Sequence, residues 1–137
     1  MSPQIPVRII RQVRQRAGAL CEYCRLPQSS QEATFHVDHV LPRSQHGTTE
    51  LENLALACVT CSLRKSARTS AIDPRTGSVA ALFNPRTEVW SDHFAFTSTW
   101  RIRGRTPTGR ATIEALGMNR TAIVLIRREL VLLNRFP

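Results

Sequence analysis

Lysine is almost missing from this chain of 137 residues: Lys65 stands alone, and the other eighteen cations are arginines. Acidic residues are also scarce, ten against nineteen basic ones, which leaves a formal charge of +9 and a pI near 11.1. Aromatics make up only 6%, so a core of modest size gains from a metal staple. No apolar run reaches transmembrane length, and the apolar residues near the N-terminus are interrupted by Pro and Arg, so neither a membrane span nor a secretory leader is expected. There is no internal repeat and no low-complexity tract. An arginine-heavy surface points to polyanions, because the planar guanidinium fork fits phosphate in a bidentate way. A generally solvated basic surface is the other reading of the same charge.

The cysteines are few but ordered. Cys21 and Cys24 form one Cys-x-x-Cys pair, Cys58 and Cys61 a second. Each pair can present two thiolates to one metal, and four sulfurs complete the tetrahedral set of a closed, structural zinc site. A redox dithiol is the rival, but redox pairs usually come singly beside a βαβ pattern, which is absent here. Paired thiols without a leader fit the cytoplasm better than a secreted disulfide framework. The 33 residues between the pairs, 25–57, exceed the common zinc-ribbon gap. Within them lie His36, Asp38 and His39.

These residues carry a resemblance. Asp38-His39-Val-Leu-Pro-Arg-Ser, Asn53-Leu, Cys58-x-x-Cys61 and Lys65 resemble the HNH endonucleases, the ββα-metal nucleases, in order and spacing. The likeness is strong from Arg16 to about Ala67; LFNPRTEVWSDHF and TPTGRAT more weakly resemble the C-terminal extension of a bacterial subgroup. The resemblance implies an α+β fold: a small zinc-stapled, treble-clef-like ββα-metal core with an N-terminal helix and a C-terminal strand and helix extension. The division expected is a basic helix over 1–20, a catalytic core over 21–68, and an extension over 69–137 packed on that core as one domain.

The resemblance also implies metal-dependent hydrolysis of DNA phosphodiester bonds. His39 is the best base, since an imidazole with a pKa near ~6.5 accepts a water proton at neutral pH. Asp38 is the best ligand for a hard divalent cation, Mg²⁺ or Mn²⁺. The position matching Asn53 holds the His-bearing strand end through backbone hydrogen bonds. The residue after the fourth cysteine is usually His or Asn in that family and supplies the second ligand; here it is Ser62. Three outcomes stay open: Ser62 binds directly or through water, His36 takes over, or the site is weak or dead. Arg43, Arg64, Lys65, Arg68, Arg101 and Arg103 are the expected nucleic-acid contacts. The alternative function is a zinc-stapled nucleic-acid-binding module of the same fold without cleavage. A two-fold dimer would place one site on each strand, although no self-association motif is evident.

Local patterns add further expectations. Beyond a proline-containing lead over Ser2–Pro6, apolar steps of three and four predict a helix over 7–20, with Arg8, Arg11, Arg14 and Arg16 on its other faces. Residues 26–32 read as a loop, 33–41 as a strand, and 44–50 as a loop in which Gly47 supplies a positive φ. Residues 51–57 read as an apolar clip, and a helix starts at Ser62. A turn over 73–77, a short apolar segment over 79–83 and a basic-faced strand around 100–105 follow. Two helices close the chain, one over 109–116 capped by Thr108, the other over 120–133 capped by Asn119 with Ile123, Leu125, Ile126, Leu130 and Leu133 buried. His46 reads as exposed, His93 as packed and hydrogen-bonded.

Overall fold

The computed structural model describes residues 4–137, so Ser2 and Pro3 of the expected lead lie outside the described residues. The chain forms two compact units, Met1–Thr69 with Asn84–Thr87, and Ser70–Phe83 with Glu88–Pro137. Helices combine with three two-stranded antiparallel sheets, an α+β architecture. Among the described residues no helix is long and apolar enough to cross a membrane.

In the first unit, α1 spans Val7–Ala17 and ends at Gly18, whose φ of 63° lets its amide reach the carbonyl of Gln15. Val13 is its one fully buried side chain. Strand β1, His36–His39, pairs antiparallel with β2, Leu54–Ala57, in the register Asp38 to Ala55 and His39 to Leu54. Every residue of β2 is buried, so it lacks the alternation that marks a strand with one wet face. Burying Leu54 and Leu56 contributes about 1.5–3 kcal/mol each. Arg16, expected on a basic face, donates to the carbonyls of Leu51 and Leu54 and so ties α1 to the entry of β2. Helix α2 spans Val59–Lys65 and starts three residues earlier than expected, because Cys58 caps it: its sulfur accepts from the Cys61 amide.

The short segment 84–87 belongs to this unit through Arg86, whose guanidinium pairs with Glu22. Glu22 also accepts from the Leu56 amide through its other oxygen, at 2.8 Å. The two residues between the first cysteine pair therefore both face inward, Glu22 toward β2 and Tyr23 toward β1.

The second unit opens with a hairpin, β3 (Ser70–Ile72) and β4 (Val79–Ala81), closed by a turn in which Gly77 has a φ of 75°. Helix α3 (Trp90–His93) leads into β5 (Phe94–Phe96), which pairs with β6 (Ile102–Gly104). Helices α4 (Pro107–Leu116) and α5 (Thr121–Leu132) complete it. Three expectations are corrected here. Thr106, not Thr108, caps α4, because Pro107 takes the first helical position and the Thr106 hydroxyl accepts from Gly109. Asn119 does not cap α5; its amide instead bonds both backbone groups of Ile102, extending β6 by a side chain. Leu125 and Leu133 are 56% and 58% exposed, while Arg127 is wholly buried, donating to the carbonyls of Trp100 and Met118. His93 is packed as expected, between Thr106 and Glu88.

Candidate functional site

The two cysteine pairs meet in the interior. Cys21, Cys24, Cys58 and Cys61 are buried, and their sulfurs all lie within 4.8 Å of one another. In the first knuckle the Cys24 amide points at the Cys21 sulfur, 3.4 Å away, and Arg25 turns the chain with a φ of 70°. The second repeats the contact between Cys61 and Cys58 at 3.4 Å. The sulfurs of Cys24 and Cys58 are 3.7 Å apart. A tetrahedron with zinc–sulfur bonds of about 2.3 Å has edges of about 3.8 Å, so the spacing fits. Hydrogen bonds from Cys21, Cys24 and Cys61 hold the Cys58 thiol well below its ordinary range, whereas the surrounding sulfurs and burial push Cys24 and Cys61 up. Four sulfurs so close in an apolar interior can all be thiolates only with a cation among them. The cluster is a site for a structural metal such as zinc.

Beside it opens a cleft of about 760 Å³ in the first unit. His36, Asp38, His39, Arg43 and Ser62 of the expected residues all line it. So does Arg14, from the basic face of α1. Asp38 is 8% exposed, and two polar contacts fall on its Oδ2: the Tyr23 hydroxyl donates at 3.0 Å and the Lys65 ammonium lies at 3.2 Å. Burial pushes the Asp38 carboxyl up; Lys65 and Tyr23 pull it back toward the ionised form. Burial, then the Asp38 charge, raises Tyr23 well above the usual phenol range, so it remains a donor.

His39 ends β1. Its Nε2 lies 3.0 Å from the Thr49 hydroxyl, and its carbonyl accepts from Lys65 at 3.0 Å. Burial lowers the His39 imidazole, followed by the charge of Arg43; Asp38 pulls the other way, and Lys65 adds a smaller lowering. The net direction favours the neutral ring. His36 Nδ1 lies 2.9 Å from Ser62 Oγ, so the two candidates for a second ligand touch each other. A carboxylate oxygen, a hydroxyl and an imidazole on one cleft are a donor set that fits Mg²⁺ or Mn²⁺.

Asn53 lies behind the cleft. Its Oδ1 accepts from the Leu41 amide at 2.9 Å, and its Nδ2 donates to the carbonyls of Leu41 and Thr48 at 3.0 and 2.8 Å. Gly47 packs on this grip, since a Cβ there would fall 1.8 Å from the Leu41 carbonyl oxygen. The left-handed residue of the loop is His46, with a φ of 68°, rather than Gly47. Gly47 is required for close approach.

Of the expected nucleic-acid contacts, Arg43, Arg64 and Arg68 are exposed in the first unit, and Arg101 and Arg103 in the second. Lys65 differs: it is 2% exposed and lies between Asp38 and the His39 carbonyl, not on the surface. Tyr23 and Thr49 were not singled out by sequence. Tyr23 carried one signal, its place between two cysteine ligands; Thr49, one hydroxyl in a polar loop, carried none.

The fold and the site together define a small α+β protein built on a buried four-cysteine metal site. Residues 21–68 match the family model described as HNH endonuclease. No curated protein and no solved structure matches the chain. The family points to a nuclease or other nucleic-acid-related function, with nucleic acid as the substrate class.

Proposed function

We propose that the protein is a metal-dependent HNH endonuclease that hydrolyses DNA phosphodiester bonds. The observation that supports this best is the meeting of His39, Asp38 and the His36–Ser62 pair on one cleft beside the four-cysteine site. His39, neutral and oriented by Thr49, takes a proton from the attacking water. Asp38, with Ser62 and His36, would hold a Mg²⁺ or Mn²⁺ ion, which supplies charge neutralisation at the phosphoryl group and the leaving oxygen. Asn53 keeps the end of β1 in place by gripping Leu41. Arg43 on the cleft wall, and Arg64, Arg68, Arg101 and Arg103 on exposed surface, are assigned to phosphate contacts. Lys65 is assigned instead to Asp38 and His39. The four cysteines, reduced and gathered on one site, suit a reducing cytoplasm.

The test is incubation of supercoiled plasmid with the protein and Mg²⁺ or Mn²⁺, beside an EDTA control. Nicking that EDTA abolishes supports the proposal; equal background in every lane favours a binder without cleavage. That second reading draws on Ser62, a weaker ligand than the His or Asn usual at its position, and on the Lys65 ammonium already beside Asp38.

A further inference from the structure

The two halves of the four-cysteine site each send one donor to the same carboxylate oxygen. Tyr23 lies between Cys21 and Cys24, so its ring is carried by the first knuckle, and its hydroxyl is 3.0 Å from Asp38 Oδ2. Lys65 follows Cys61 by four residues on α2, whose start is capped by Cys58, and its ammonium is 3.2 Å from that same oxygen. Both donor residues are buried, at 0% and 2% exposure. The buried ring of Tyr23 is therefore held together with the knuckle, and the hydroxyl and the ammonium both meet Asp38 at Oδ2.

We propose that Tyr23 is a positioning residue that transmits the order of the cysteine metal site to the cleft, holding Asp38 by Oδ2 so that Oδ1 faces the catalytic cation. The proposal rests on the assignment of Asp38 as a cation ligand. Groups that orient metal ligands typically change metal affinity by about 10–100-fold when removed. Tyr23→Phe keeps the ring and removes only the hydroxyl, so the packing of the knuckle is retained.

The experiment titrates Mn²⁺ into the zinc-loaded full chain and follows free Mn²⁺ by electron paramagnetic resonance. It compares the unmodified protein with Tyr23→Phe and Asp38→Asn, with zinc content measured for each. The expected result is zinc retained in both variants, Mn²⁺ binding weakened about 10-fold or more by Tyr23→Phe, and specific binding lost in Asp38→Asn. Mn²⁺ affinity within about twofold of the unmodified protein in Tyr23→Phe, with binding lost in Asp38→Asn, overturns this proposal alone. Unchanged binding in Asp38→Asn overturns the cation assignment and the proposal with it. A second readout does not depend on how Tyr23→Phe folds. Tyr23 is the sole tyrosine of the chain, so 3-fluorotyrosine labels one position. Its single ¹⁹F resonance should shift on Mg²⁺ addition and stay still in Asp38→Asn; a resonance indifferent to Mg²⁺ in the unmodified chain contradicts the coupling.

Discussion

His39 Nε2 and the hydroxyl of Thr49 lie 3.0 Å apart, ten residues distant in the chain, across the loop that joins β1 to β2. In the tautomer whose Nε2–H donates to that hydroxyl, the lone pair of the neutral ring sits on Nδ1, the nitrogen that can take a proton from water. Thr49 thus holds the proposed base by Nε2, and the prediction is that it does so in this tautomer. Thr49→Val should slow cleavage by about 10-fold or more, a part of the 10²–10⁴-fold that a positioned base contributes, and Thr49→Ser should restore most of it. The ¹⁵N shifts of the His39 ring report the tautomer directly. An unchanged ring signature in Thr49→Val would remove Thr49 from this role.

Lys65 and Asp38 form a buried pair, so removing the cation leaves a charge in the interior. Lys65→Met should destabilise the protein by about 3–5 kcal/mol, read as a lower midpoint in urea. A surface phosphate contact would behave differently, losing DNA affinity with stability intact.

Gly47 has no room for a side chain against the Leu41 carbonyl and the Asn53 amide. Gly47→Ala should cost about 1–3 kcal/mol or more and displace the strand end that carries His39. Thermal melting measures the first effect and the rate of plasmid nicking the second. A stable, active Gly47→Ala protein would mean that the Asn53 grip does not set the position of His39.

In the second unit, hydrogen bonds from Arg110 hold the Asp73 carboxyl well below the usual carboxylate range. The folded state therefore binds this proton less readily than the unfolded chain. The pair stabilises the fold above the unfolded value near ~3.9, and this contribution is lost as pH falls from there through the depressed folded value. Melting temperatures measured from pH 5 downward should fall less steeply in Asp73→Asn than in the unmodified protein. Parallel slopes would contradict the assignment.

Much of this was readable from residue types. The four cysteines declare themselves by spacing, the first helix by its apolar steps, and the basic face of β6 by alternation around Ile102. Strand β2 was not readable as a strand, because buried Leu54, Ala55, Leu56 and Ala57 show no period of two. The start of α2 was missed because the capping group is a cysteine already assigned to metal. Charge misled at Lys65, expected on the nucleic-acid surface. Tertiary structure buries it, and Arg127 likewise, where carbonyl or carboxylate oxygens await a donor. Such partners lie many residues away, and no local pattern announces them.

On the proposed function, an imidazole and a carboxylate, held in place by a metal-bound scaffold, cut nucleic acid. The most direct measurement compares plasmid nicking by the unmodified protein and by His39→Ala, both zinc-loaded and matched for DNA affinity, in Mg²⁺ or Mn²⁺. The expected result is nicking in the first and a loss of about 10²–10⁴-fold in the second, with binding and zinc content equal. Equal nicking by both proteins, or none by either, would contradict it.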